Sequence, residues 1–295
     1  MEEAEEQATI ATKNVSGTLS PQPCPSCGAN PNSGAEPGQS PAWIYALGRV
    51  EPRFPRISVE KEFAQVLGRD KASGLTDGQA LHGVLSKPEN RYLVRQMCWV
   101  LTIEGLETYI LAPRDPADFN LLVETLRPAP RHSDLCCVIG ARGPMAPPEM
   151  CNGLMVPIAL FDQIYSFDRD TLIKAIPRPE KAPAKEFAAA AEELFERIMQ
   201  MADNAGATDP DRALNYLAVR YSRLYEAVFE AFARNESLTG VEVRPSPLSG
   251  PRKLVEAIFS FTNRNTDVVS KQFVRLDVSD EFPFLVYKLS PYYDH

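Results

Sequence analysis

A change of hydrophobic period partway along the chain constrains its fold more than any motif in it. From Ala184 to Ala205 the apolar positions Phe187, Ala191, Leu194, Phe195, Ile198 and Met201 recur at helical spacing, and Gly206 stops the run. Asp209 followed by Pro210 reads as a helix cap with a first-turn proline. The next run, Pro210–Arg234, carries Leu214, Leu217, Tyr221, Leu224, Tyr225, Val228 and Phe232 on one face, so a second amphipathic helix is expected. After Asn235 the period becomes two. Gly240–Arg244, Lys253–Thr262, Gln272–Val278 and Phe284–Leu289 read as strands of an antiparallel meander, with Asn263–Asp267 as a polar turn.

The first half is mixed. Trp43–Gly48 is a short strand candidate, and Pro52 and Pro55 are expected to break the chain after it. Ser58 is placed to cap a helix over Val59–Leu67 that Gly68 ends. Gly74 to Gly83 reads as a turn-rich connector, and Asn90–Gln96 as one or two helical turns. Residues 98–111 alternate around Glu104-Gly105, which predicts a hairpin. Asp118 can cap a short helix through Val123. Leu135–Gly140 and Ile158–Phe167 read as buried strands, and Asp168 or Asp170 caps a helix to Ile176. The segment from Arg142 to Pro157 is dense in proline and glycine and reads as an irregular loop. Pro177, Pro179 and Pro183 mark a linker. Strands and helices in this order argue an α+β fold in two parts.

The remaining stretch, residues 1–40, is acidic, polar and rich in proline and glycine, so a flexible arm is expected there. Within it lies Cys24-Pro25-Ser26-Cys27-Gly28. Two thiols at C-x2-C spacing can grip one metal ion from a tight turn, and a structural zinc needs four ligands. The chain has six cysteines and three histidines, but no second C-x2-C. Two unligated thiols or a redox pair are the alternative readings. A redox motif would belong inside a βαβ pattern, which this arm lacks.

Charge and composition narrow the function classes. The net charge of −8 argues against nucleic acid and anionic membrane as partners. No apolar run approaches the ~20 residues of a membrane helix. The acidic N-terminus lacks the features of a signal peptide, so a cytoplasmic location with reduced thiols is expected. Dinucleotide, phosphate-loop, zinc-protease and nucleophile-elbow fingerprints are all missing. His82, His132 and His295 read most simply as solvated or locally hydrogen-bonded. The carboxylate pairs Asp277/Asp280 and Glu104/Glu107 read as solvated.

Several long strings together carry a resemblance: LGRVEPRFPRISVEKEFAQ (47–65), ENRYLVRQMCWVLTIEGLETYIL (89–111), GPMAPPEMCNGLMVP (143–157), RIMQMADNAGATDPDRALNYLAVRY (197–221), GVEVRPSPLSG (240–250) and EFPFLVYKLSPYYD (281–294). They resemble the C-terminal region of cyanobactin maturation proteases of the PatG type, to which the end of the companion protease PatA is related. The resemblance runs from about Trp43 to the end and includes the cysteine knuckle. It implies a domain of unknown function attached to subtilisin-like proteases that process ribosomal precursor peptides. This chain holds no protease domain, so the triad chemistry does not carry over. The family region is divided in two, which agrees with a break near Pro177–Pro183 and gives an arm (1–40), a first α/β part (41–176) and a helix-plus-meander part (184–295).

The family-like thiols are Cys24, Cys27, Cys98 and Cys151, which makes them the expected ligands of one zinc; Cys136 and Cys137 then read as strand thiols. The resemblance further implies a non-catalytic accessory or interaction domain in the biosynthesis of ribosomally made, modified peptides. Precursor peptide or a processing protease is the expected partner, with a homodimer also in view. The Arg142–Pro157 loop is the expected contact surface, with Arg142 and Glu149 as polar handles; an exposed edge of the C-terminal meander, to which an extended peptide could add as a strand, is the second candidate. The rival reading is a zinc-dependent enzyme that modifies the peptide in the same pathway.

Overall fold

The computed structural model describes residues 42–68, 75–178, 183–201 and 204–293. The expected arm and its Cys24/Cys27 knuckle lie outside the described residues. From Ser40 to His295 the chain forms one compact unit.

Five strands build the first part: β1 (Trp43–Arg53), β2 (Cys98–Ile103), β3 (Leu106–Pro113), β4 (Asp134–Met145) and β5 (Pro157–Asp168). They close into a barrel in the order β1-β2-β3-β5-β4. All pairs are antiparallel except β3 with β5. Bulges in β2–β3 and β4–β5 supply the bending that closure demands. Gly140 lets β4 and β5 close up, since a Cβ there would run into the backbone of Leu160 and Phe161. With the short helix α4 (Phe119–Thr125) between β3 and β4, the topology resembles that of an OB barrel, which by itself assigns no function.

The β2–β3 turn follows the prediction, with Glu104 and Gly105 both at positive φ (47° and 82°), as a tight two-residue hairpin turn requires. Pro52 does not break the chain; it lies in β1 opposite Trp99. The strand bends there: residues 43–48 pair with β4 and residues 49–53 with β2, so Pro52 has a partner on one side only and needs no second ladder.

Among the described residues three α-helices sit between β1 and β2: α1 (Ile57–Leu67), α2 (Asp77–Leu85) and α3 (Arg91–Gln96). Ser58 is not the cap of α1; Arg56 holds that position in extended backbone without a side-chain bond. The expected connector at Gly74–Gly83 contains α2, started by a capping box in which Thr76 accepts from the Gln79 amide and the Gln79 side chain accepts from the Thr76 amide. Asp168 caps α5 (Arg169–Ala175) as expected, accepting from the Thr171 amide at 2.7 Å.

The second part contains α6 (Ala184–Met199), α7 (Asp209–Arg220), α8 (Ser222–Ala233) and a sheet of order β6-β7-β8-β9. These strands are Glu236–Pro245, Leu254–Asn263, Val269–Asp277 and Phe284–Pro291, an antiparallel meander as expected. The single long helix expected at Pro210–Arg234 is two helices. Tyr221 leaves helical geometry (φ −117°, ψ 82°), and its hydroxyl accepts from the Leu289 amide in β9 at 3.0 Å. The cap of α7 is Thr208, one residue before the expected Asp209, in a capping box with Asp211.

β1 divides the apolar interior. Ile44 and Ala46 join the barrel interior with Trp99, Tyr109, Val138 and Phe161. Tyr45 and Leu47 point the other way, with Cys137 and Ile139, into a core built from α5–α8 and the inner face of the meander. That core therefore continues across the Pro177–Pro183 connection.

Candidate functional site

Polar side chains fasten the two parts where β1 bends. The Tyr45 amide donates to the Gly206 carbonyl at 2.8 Å, and Asn215 Nδ2 donates to the Tyr45 carbonyl at 2.8 Å. Asn215 and Asn204, both buried, exchange amide hydrogen bonds at 2.8 and 3.1 Å. Gly206 has φ +69°, and a Cβ there would sit 2.5 Å from the Tyr45 carbonyl oxygen. Within the second part, buried Arg212 ties α7 to the meander, donating to the carbonyls of Val278 (2.9 Å), Glu281 (3.2 Å) and Asp280.

Beside this joint lies a groove of about 650 Å³. Its walls come from the β2–β3 hairpin (Ile103, Leu106, Tyr109), from the ends of β4 and β5 (Arg142, Pro157), and from the α6–α7 connection (Met199, Met201, Ala205). Tyr109 donates to the Ala205 carbonyl at 3.1 Å and fixes the floor. Leu106 is 73% exposed at the rim. Methionine side chains adapt to varied apolar contacts.

The structure divides the expected Arg142–Pro157 loop. Residues 142–145 are not irregular; they extend β4, with Arg142 opposite Ala159 and Met145 opposite Pro157 across a bulge. Exposed Arg142 lines the groove, while Glu149 stands exposed in the 147–153 turn, away from it. That turn reverses with Asn152 and Gly153 at positive φ.

Cys98 and Cys151 come together, with Cα atoms 5.6 Å apart, and are joined as a disulfide. They lie in a small cluster with Val100, Ile110 and Ala146 on the outer face of β2, β3 and β5. A disulfide sulfur is not a thiolate, so the expected role of this pair as two zinc ligands requires its reduction. Among the described residues no group of three or more His, Cys, Asp or Glu side chains is placed to hold a metal ion. The other two expected ligands, Cys24 and Cys27, lie outside the described residues. Cys136 and Cys137 are free, buried strand thiols, as expected; burial raises both, Cys137 to about 12.

The histidines are locally engaged or peripheral. His132 takes the Arg49 guanidinium on its carbonyl at 2.9 Å and on Nδ1 at 3.3 Å, His82 lies in the last turn of α2, and His295 is outside the described residues. Of the carboxylates read as solvated, Asp277 is in fact buried and accepts from the Ser279 amide at 2.9 Å. Glu107 pairs with Arg53. Sequence reading missed a different pair. Asp162 of β5 stands near Glu281 of the β8–β9 turn; burial first, then Asp162, raises the Glu281 carboxyl to about 7. Arg114 pairs with Asp162 at 2.8 Å. No local spacing announces this pair, because its members stand far apart in the sequence.

Comparison with known proteins gives two matches that carry the name PatG. Residues 181–292 match the family described as PatG C-terminal. The chain is also similar to a solved structure titled "PatG Domain of Unknown Function", at 20% identity and a TM-score of 0.67, over 86% of this chain and 99% of that one. At that identity the likeness shows the fold, and it spans both the barrel and the PatG-like helix-and-meander part. No curated protein matches. Among the described residues no helix is long and apolar enough to cross a membrane.

Proposed function

We propose that this chain is a non-catalytic accessory domain for the making of ribosomally synthesised, modified peptides, and that it holds a peptide or a processing protease in the groove beside Arg142. The observation that carries this reading is the groove itself: an apolar trough with few polar groups, set at the joint of the two parts. Arg142 is its cation; Glu104 and Glu107 stand at the hairpin end. The PatG likeness supports this choice of pathway. Calorimetric titration of the full chain with precursor peptide, and separately with the pathway's proteases, is expected to show binding to at least one. Arg142→Glu is expected to weaken it about tenfold or more, equivalent to at least ~1.4 kcal/mol. Mass spectrometry of the same mixtures is expected to show an unchanged peptide. A covalent change that depends on Cys98 or Cys151 would replace this reading with the zinc-enzyme rival.

A zinc belongs to the same proposal. With the Cys98–Cys151 pair reduced, two buried thiols would be available, and Cys24 and Cys27 would complete four sulfur ligands. Four sulfurs would make the site closed and structural. Elemental analysis of reduced chain is expected to give about one zinc. Cys24→Ser should lose it and Cys136→Ser keep it; full retention in Cys24→Ser/Cys27→Ser would remove the assignment.

A further inference from the structure

A second surface stands apart from the groove. β9 ends the meander and pairs with β8 alone, so its outer edge has no strand beside it among the described residues. The Leu289 amide is taken by the Tyr221 hydroxyl, which leaves the stretch from Phe284 to Lys288 open. Along that stretch Phe284, Val286 and Tyr287 are each between 43% and 46% exposed. An exposed apolar edge normally invites uncontrolled pairing and is blunted by charge or proline. Here Pro283 and Pro291 bound the strand at its two ends, and Lys288 is its single charge. The edge is thus restricted in length, and among the described residues no strand covers it.

Its side chains are also ordered from behind. Tyr287 stacks on Phe273 of β8, with ring centres 5.6 Å apart. The Arg275 guanidinium lies over both rings and is neutralised by buried Glu256 at 2.8 Å. Lys288 has no ion-pair partner among the described residues, so it is the net charge this edge presents.

We propose that the open edge of β9 receives a short extended peptide segment as an added antiparallel strand. The segment is apolar at alternate positions and places a carboxylate beside Lys288. Main-chain hydrogen bonds would supply affinity, and the Tyr287 and Val286 side chains would select the partner's residues. Area decides against a second copy as the occupant. A stable pair of proteins needs about 800 Å² from each partner, and an edge of about five residues supplies roughly half of that.

The probe is a fluorescein-labelled ten-residue peptide of alternating valine and threonine with one central glutamate, titrated with the full chain and read by anisotropy. Saturable binding is expected. N-methylation of alternate amides keeps the side chains but removes strand pairing, and should weaken binding about tenfold or more. Lys288→Glu should reverse the preference between the glutamate probe and its lysine counterpart, while Arg142→Glu should leave both titrations unchanged. Four results would overturn the proposal: no binding at millimolar chain, equal binding of the N-methylated probe, loss of binding in Arg142→Glu, or sedimentation showing a dimer of the chain alone that Lys288→Glu changes.

Discussion

Replacing Asn215 with alanine tests the joint between the two parts most directly. Asn215 Nδ2 is the side-chain donor to the Tyr45 carbonyl, on the side of β1 that faces neither β2 nor β4 at that point. The same amide pairs both ways with Asn204. Asn215→Ala therefore strands the Tyr45 carbonyl and the Asn204 side-chain oxygen, while Asn204 Nδ2 keeps the Ile198 carbonyl at 3.3 Å. Each buried polar group left without a partner costs about 1–3 kcal/mol, so the expected loss is roughly 3–5 kcal/mol. At about 2–4 °C per kcal/mol for a chain of this size, the melting temperature should fall by roughly 6–20 °C. Urea unfolding followed by circular dichroism measures the loss directly. A double-mutant cycle with Asn204→Ala should show strong coupling, the double variant being little worse than Asn215→Ala alone. A loss below about 1 kcal/mol, or simple additivity in the cycle, would refute the claim that this network fastens the barrel to the helices.

Other consequences are equally open to measurement. The Glu281 carboxyl, raised to about 7 by burial and by Asp162, keeps a proton that the unfolded chain releases. Its stabilising contribution is therefore complete below the ordinary carboxylate range and lost as pH rises through 7; Glu281→Gln should flatten that decline between pH 5 and 8, and an unchanged decline would count against the pair. Gly206→Ala should destabilise the chain more than Gly83→Ala, because the new Cβ meets the Tyr45 carbonyl at the first site and nothing within 4 Å at the second; equal melting temperatures would contradict this. Cys136 and Cys137 should resist alkylation in native protein and react in denaturant, as buried, raised thiols do; rapid native labelling would show otherwise. Residues 181–295 alone should not unfold cooperatively, since their core lacks Tyr45, Leu47, Cys137 and Ile139; a sharp thermal transition would disprove the shared core.

What was legible in the sequence is what short-range physics decides. The Glu104-Gly105 hairpin, the α6 helix and the meander all follow from periodicity and turn residues within a few positions. The break at Tyr221 was not legible, because it depends on the Leu289 amide in β9, far along the chain. Nor was barrel closure, which depends on the parallel pairing of Ile110–Pro113 with Ile158–Phe161. Parallel strands have no hairpin to announce them. The candidate site divides the same way. Arg142 could be named from its loop, but the groove also needs Met199, Met201 and Ala205 from the other part. That Cys98 and Cys151 belong together was available only through resemblance; their partnership in space arises from the fold around Val100, Ile110 and Ala146.

The bend in β1 explains why these features gather where they do. A strand that changes partners midway leaves backbone groups facing away from both neighbours, and buried groups of that kind must be bonded. Gly206 and Asn215 meet that requirement at Tyr45. Residues 204–207 are consequently drawn onto the barrel, and Met199, Met201 and Ala205 come to face the β2–β3 hairpin. The groove is thus a geometric consequence of how the joint satisfies its hydrogen bonds. Changes at Gly206 or Asn215, neither of which lines the groove, should alter the binding proposed at Arg142, whereas the β9 edge, built on β8 alone, should not feel them.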